Sequence, residues 1–371
     1  MAAEGSGYAP RELADHDLGS LAALLAARTG QPPGRSRRAA AQALRLAFGM
    51  TDGGSGGWTR SELGRARIGA WAQSALLDLS PAPCLRIARR FTSADGTTRL
   101  LLRARDGAGV EAVIIPALPA KGQRAWRTTL CLSSQAGCAR GCAFCHTGRL
   151  GLRRNLRAAE IVDQYRLARD ELAPSGEAIS NLVFMGMGEP LDNFDAVMRA
   201  IRLMCDPHAF ALAPSRITVA TAGVADKVAD FFAASRAELA VSVNAPDDAR
   251  RQAIMPIARA FDLGALRRAL VAALPPRRRL LLTYVLFEGF NDAPDDADML
   301  ARWARGLSCR INLIPANPGP DARLVPPTEA RLAAFAARLS RRGLTTLVRA
   351  PRGRDVGAAC GQLAGSWRRA P

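Results

Sequence analysis

"CLSSQAGCARGCAFCHTG" spans residues 131–148, and its cysteines decide how the rest of the chain reads. Cys138, Cys142 and Cys145 are spaced C-x3-C-x2-C. C-x2-C pairs often ligate zinc, but a structural zinc site takes four protein ligands, commonly as two separated pairs. His146 is a strained fourth ligand because it adjoins Cys145 directly. Three thiolates this close together suit three corners of a cubane 4Fe–4S cluster, with its fourth iron left open to another molecule.

Outward from this stretch, apolar strand-like runs recur: "TTLCLSS", "ISNLVFMGM", "RITVATAG", "ELAVSVNAP", "LLLTYVLFEG", "CRINLIPAN" and the short "LTTLVRAP". Helical patterns such as "LRAAEIVDQYRLARDEL" and "TEARLAAFAARLSRRG" separate them. Strand alternating with helix implies a parallel sheet, here curved into a partial barrel of the (β/α)6 TIM-like kind. Active sites of such folds lie at the carboxyl ends of the strands. Several of those ends are polar or glycine-rich: Ser133-Ser134, "GMGEP" with Gly188 and Glu189, "TAG", Ser242-Val243-Asn244 and Asn317. The glycines allow close backbone approach, and Glu189 offers an acceptor for an ammonium group.

Upstream, residues 84–116 read as strand, turn, strand, turn, strand, with DG and GAG as turn signals. Before them "LGSLAALLAARTG" and "RSRRAAAQALRLAFG" carry helical spacing, and "TDGGSGG" at 51–57 reads as a flexible loop. The expected domains are a basic helical module over 1–80, a small antiparallel platform over 81–120, and a barrel with a C-terminal cysteine loop over 121–365.

The formal charge is +18, from 51 basic residues against 33 acidic ones, and only Lys121 and Lys227 are lysines. A surplus of this size calls for a polyanionic partner. Arg35, Arg37, Arg38, Arg60, Arg65 and Arg67 are candidate phosphate contacts. Aromatic residues make up only 5%, which argues against extensive base stacking. Long apolar segments and a secretory pattern are both missing, so a soluble cytoplasmic protein without a membrane partner is expected. In that compartment the eight cysteines should not form a structural disulfide framework.

Five ordered motifs, "TLCLSSQAGC", "RNL", "MGMGEPL", "INLIPANP" and "ACGQLAG", together resemble those of the radical S-adenosylmethionine methyltransferases that act on RNA adenine, the RlmN/Cfr family. The resemblance covers roughly residues 85–365. It implies a radical S-adenosylmethionine (SAM) barrel, a 4Fe–4S cluster on Cys138, Cys142 and Cys145, and two SAM molecules per turnover. Gly188, Glu189, Ser242, Val243, Asn244 and Asn317 become inferred cofactor contacts.

The implied reaction is methylation of adenine carbon 2 in 23S ribosomal RNA, with transfer RNA as a further substrate. Cys360 matches the cysteine that carries the methyl carbon and is crosslinked to RNA. Cys131 matches the cysteine that resolves the crosslink through a disulfide, and Glu111 matches a proton acceptor. A flavodoxin or ferredoxin would donate the electron, and a monomer is expected. Carbon-8 methylation of the antibiotic-resistance type and a zinc-stabilised RNA-binding protein without catalysis are the alternatives. The chain departs from the family pattern at Ala220, where serine is usual, at Asn244, where histidine is usual, and at Ala316, where an aromatic residue is usual. The small residues around Cys360 imply a loop able to swing toward cofactor and RNA.

Overall fold

Each apolar run expected after residue 128 is a strand in the computed structural model, which describes residues 12–48, 58–117 and 128–363. The loop expected at 51–57 and the last two residues of "ACGQLAG" lie outside the described residues. Three strands precede the cysteine stretch: β1 (Leu85–Thr92), β2 (Thr98–Ala104) and β3 (Gly109–Pro116). Next come β4 (Thr128–Cys131) and a small pair, β5 (Gln135–Gly137) and β6 (Leu152–Asn155). The remainder are β7 (Ile179–Phe184), β8 (Ile217–Thr221), β9 (Glu238–Ser242), β10 (Leu280–Leu286), β11 (Cys309–Pro315) and β12 (Thr346–Val348).

The main sheet has ten strands in the order β1-β2-β3-β4-β7-β8-β9-β10-β11-β12, and β5 pairs only with β6. Within that sheet every pairing from β4 to β12 is parallel, whereas β2–β3, β3–β4 and the separate β5–β6 pair are antiparallel. This is the α/β partial-barrel architecture expected. Leu130, Leu182, Val219, Leu239, Val241, Leu282 and Leu313 are almost wholly buried. Burial on both faces explains why these strands read as continuous apolar runs rather than as alternation. Because β3 pairs with β4, the antiparallel platform is continuous with the parallel strands.

Contacts divide the chain into two units. One holds the described residues up to 86 together with 156–166 and 195–213. Its helices include Leu18–Thr29, Pro33–Phe48, Arg60–Arg65 and Ala70–Leu77. Asp17 caps the first by accepting from the Ser20 N–H at 2.9 Å, and Gly30 ends it in the left-handed region at φ +66°. Leu21, Leu25, Leu44, Phe48 and Leu76 form the buried side. The other unit holds 87–155, 167–194 and 214 onward, and contains the cysteine stretch.

Candidate active site

The cysteine loop is closed at its base by the β5–β6 pair, which the sequence reading did not anticipate. Cys138 N–H donates to the Gly151 carbonyl at 2.9 Å, and Gln135 Nε2 donates to Asn155 Oδ1 at 2.7 Å. Gly137 has φ +84°, and a Cβ there would stand 1.9 Å from the Gly151 oxygen. A three-residue strand is too short to show any period, so only its glycines and the "RNL" motif signalled it. On its far side the loop docks through Ala143 N–H on the Ile254 carbonyl at 2.9 Å.

Cys138, Cys142 and Cys145 line one cavity at the carboxyl ends of the parallel strands. It holds about 960 Å³ of empty space, part of it open to solvent. Among the described residues no three His, Cys, Asp or Glu side chains close on a single metal ion. His146 is not on the cavity wall.

Burial pushes the Cys138 thiol up to about 11, with smaller contributions from the charges of Cys145, Glu189 and Asp192. Burial and then Cys145 and Cys138 push Cys142 higher still, and burial also raises Cys145. Three thiols, one buried and two half-buried, whose surroundings resist ionisation are held as thiolates by a bound cationic metal. A cavity with room for a small molecule beside them fits a three-cysteine iron–sulfur cluster with an open iron.

Gly186 and Gly188 line the same cavity, but a protein segment uses the space their missing side chains leave. A Cβ on Gly186 would stand 2.7 Å from the Leu132 carbonyl oxygen, and one on Gly188 2.6 Å from Gln135 Cβ. The turn after β7 thus nests against residues 132–135. Glu189 follows, wholly enclosed, accepting from Leu191 N–H at 3.0 Å and from Ala222 N–H at 2.7 Å. Burial outweighs these donors and pushes its carboxyl up to about 7. A cationic or amino group in the cavity would meet an acceptor already held in place.

Ser242 and Asn244 lie on the cavity wall, and Ala220 is there too. Asn244 occupies the left-handed region at φ +57°, which asparagine and histidine tolerate better than most residues. Its Oδ1 accepts from Val285 N–H at 2.9 Å and its Nδ2 faces Met255 Sδ at 3.3 Å. Val243 is buried behind the wall. Asn317 is off the wall as well, donating to the Cys360 carbonyl at 3.1 Å and accepting from Arg354 Nε at 2.8 Å. Its contact with the site therefore runs through the cysteine loop. Ala316 is buried in an apolar cluster with Ile254, Met255, Phe287 and Leu324, against which Cys142 and Phe144 pack.

Cys360 is exposed and shares the cavity wall with the three loop cysteines. Cys131 is buried off that wall, opposite Val113 and beside Val183. Burial and then the nearby Cys360 push its thiol up to about 12, against Arg349 and the Met185 backbone. Glu111 shares the Cys131 face of the sheet, since Val113 pairs with Cys131 and side chains alternate along β3. Its carboxylate is buried and meets Arg99 Nη1 at 2.8 Å. It faces neither solvent nor the cavity.

The Cys360 loop is fastened on both sides, in contrast to the swinging loop expected. Gly361 O accepts from His146 N–H at 2.8 Å and Leu363 O from Thr147 Oγ1 at 3.1 Å. On the other side Asp355 accepts from Ser93 Oγ at 2.6 Å, and Ala358 N–H donates to Gly353 O at 2.8 Å. Gly361 and Gly357 supply left-handed turns, φ +82° and +64°. The small residues serve turns and close packing; Gly361 sits where a Cβ would be 3.0 Å from the Phe144 carbonyl.

Comparison with known proteins agrees with this geometry. Residues 132–303 match the Radical SAM superfamily. A probable RNA methyltransferase of Sorangium cellulosum is 59% identical over 96% of this chain and 88% of its own length. The dual-specificity RNA methyltransferase RlmN of Syntrophobacter fumaroxidans is 43% identical over 76% of this chain and 81% of its own. A radical SAM methyltransferase of Sphaerobacter thermophilus, known from its crystal structure, is 35% identical. It superposes with a TM-score of 0.80 over 95% of this chain and 99% of that one. With the three cysteines on one cavity and relatives of this similarity, the chain belongs to the radical SAM RNA methyltransferases of the RlmN type.

Proposed function

We propose that the protein methylates carbon 2 of an adenine in 23S ribosomal RNA, with transfer RNA as a second substrate. The observation that carries this reading is the exposed Cys360 on the wall that bears Cys138, Cys142 and Cys145, with Cys131 near enough to feel its charge. The cluster on those three cysteines, with Glu189 receiving the SAM amino group, supplies one-electron cleavage of the cofactor to a carbon radical, two SAM molecules being used per turnover.

Cys360 carries the methyl carbon as a thioether, and that carbon joins protein to adenine. Glu111, expected as the acceptor of the proton leaving the ring carbon, is paired with Arg99 off the cavity wall, so that proton passes to solvent at the open side of the cavity. Cys131 then attacks the Cys360 sulfur. The S–C electron pair passes to the carbon, which takes up a proton and leaves as the methyl group. A Cys131–Cys360 disulfide remains, to be reduced by an external thiol. Ser242 and Asn244 line the cofactor space, while Asn317 holds the Cys360 carbonyl. The electron comes from a flavodoxin or ferredoxin, and the enzyme works as a cytoplasmic monomer; no described helix is long and apolar enough to cross a membrane.

Nucleoside mass spectrometry on separated ribosomal and transfer RNA, from cells with and without the gene, tests the reading. Gene-dependent 2-methyladenosine is expected. Gene-dependent 8-methyladenosine would replace carbon 2 by carbon 8, and neither product would end the proposal.

One observation favours a second reading, a paralogue with its own RNA target. Sorangium cellulosum strain So ce56 carries both the 59% identical relative and an RlmN that is only 42% identical to this chain. Ala220 and Asn244 on the cavity wall fit such divergence. That reading is favoured if the modified adenine lies outside 23S ribosomal RNA.

A further inference from the structure

Arg251 is the largest fully buried side chain among the described residues, yet no motif singles it out. It lies on the helix Asp248–Ile254, which follows β9. Its Nε donates to Val243 O at 3.2 Å, Nη1 to Phe261 O at 3.1 Å, and Nη2 to Ala222 O at 2.7 Å and Ser242 O at 3.3 Å. Every partner is a carbonyl. Among the described residues no salt bridge reaches it, and the carboxylate of Asp248, one turn back on the same helix, is the largest charge acting on it.

A cation enclosed away from water is strongly disfavoured unless an anion answers it. Carbonyl dipoles satisfy the guanidinium protons but carry no countercharge. Space has nevertheless been kept for the group, since a Cβ on Gly223 would stand 2.7 Å from Nη2.

The anion that is wanted lies on the cavity side. Ala222 and Ser242 line the cavity whose wall holds the three cysteines. Ile254, at the end of the Arg251 helix, accepts the Ala143 N–H from within the cysteine loop at 2.9 Å. Cys142, Ala143 and Phe144 pack against Ile254 and Met255 at that end of the helix.

We propose that Arg251 is the buried countercharge of the iron–sulfur cluster, a positioning residue that makes the cluster easier to reduce while tying down the ends of β8 and β9. The proposal rests on the reading that Cys138, Cys142 and Cys145 hold that cluster. A 4Fe–4S core of charge 2+ with three thiolates carries a net charge of −1. One electron from a low-potential donor takes it to −2, and a fixed cation stabilises the second state more than the first. The protein site thus raises the reduction potential.

The test uses the full chain, reconstituted anaerobically with iron and sulfide, as wild type, R251Q and R251K. Iron content is measured first, then the midpoint potential by dithionite titration followed by electron paramagnetic resonance. The R251Q cluster should be at least tenfold harder to reduce, a fall of about 59 mV for one electron. R251K, which keeps the charge, should stay closer to wild type. An R251Q cluster at the wild-type potential overturns the proposal. If R251Q takes up no cluster, loading of R251K near the wild-type potential supports the charge role. Failure of both variants to load assigns Arg251 to the fold alone and overturns it. Wild type that takes up no cluster instead removes the cluster reading itself.

Discussion

Cys131 and Cys360 differ in surroundings as their proposed roles require. Cys360 is exposed on the cavity wall, whereas Cys131 is buried, with a thiol pushed up to about 12 by burial and by Cys360. A resolving thiol protected in this way stays protonated until the crosslink has formed beside it. Cys131→Ala should therefore accumulate a covalent protein–RNA adduct, seen as a nuclease-sensitive shift on a denaturing gel, and Cys360→Ala should give neither adduct nor methylation. Normal turnover by Cys131→Ala would remove its role. Glu189 makes a pH prediction. Its folded-state pKa of about 7 lies above the ordinary carboxylate value. The stability it contributes is thus full below the unfolded value, near pH 4.5, and is lost as pH rises through about 7. Urea unfolding of the cluster-free chain should show a loss between about pH 4.5 and 7 that Glu189→Gln reduces. An unchanged pH profile in that variant would contradict the assignment.

At the scale of elements, the cysteine loop is shaped by what clamps it. The β5–β6 pair closes its base, the helix Asp248–Ile254 meets its middle, and the segment after Cys360 fastens its end. Arg140, within the loop, adds a two-pronged ion pair to Asp192 in the turn after Glu189. The loop and the Glu189 turn are thereby fixed to each other, so Glu189 and the three cysteines face one cavity. Gly137 is the tightest point of this clamp. Gly137→Ala puts a methyl group into the Gly151 carbonyl at a backbone conformation worth about 1–3 kcal/mol of strain. Iron bound per chain after reconstitution should fall sharply, along with melting temperature, while Gly289→Ala, where a Cβ meets nothing within 4 Å, should retain its iron. Equal iron in both variants would show that the base of the loop does not matter.

For the whole molecule, the charge of +18 is distributed by pairing. Arg28, Arg157 and Arg202 in the helical unit are paired with Asp78, Glu12 and Asp15, and Asp17. Arg35, Arg37, Arg38, Arg60, Arg65 and Arg67 are exposed. Arg35 lies over Trp71 and bonds Gln31, while Arg60 and Arg65 bond serine hydroxyls, so none of these contacts neutralises charge. These six remain the proposed phosphate contacts. Replacing Arg37, Arg38 and Arg67 together by glutamine should weaken RNA binding without changing which adenine is modified. The slope of log affinity against log salt should fall by roughly 0.7–0.9 for each phosphate contact removed. A slope identical to wild type would place the RNA elsewhere.

The strand–helix alternation and the cysteine spacing were legible in the sequence because both are local: apolar runs announce buried parallel strands, and thiols fixed a few residues apart need no fold to be brought together. Cys360 and Cys131 were legible only through motif resemblance, since nothing local distinguishes a working thiol from an inert one. What the tertiary structure alone decided is who faces whom. It spent the space at Gly186 and Gly188 on residues 132–135, and set Asn317 on the cysteine loop rather than the cavity. It also fastened a loop whose glycines suggested freedom, and enclosed Arg251 beside the cysteine loop on carbonyl partners alone among the described residues. Close approach and burial depend on residues far apart in the chain, and no local spacing encodes them.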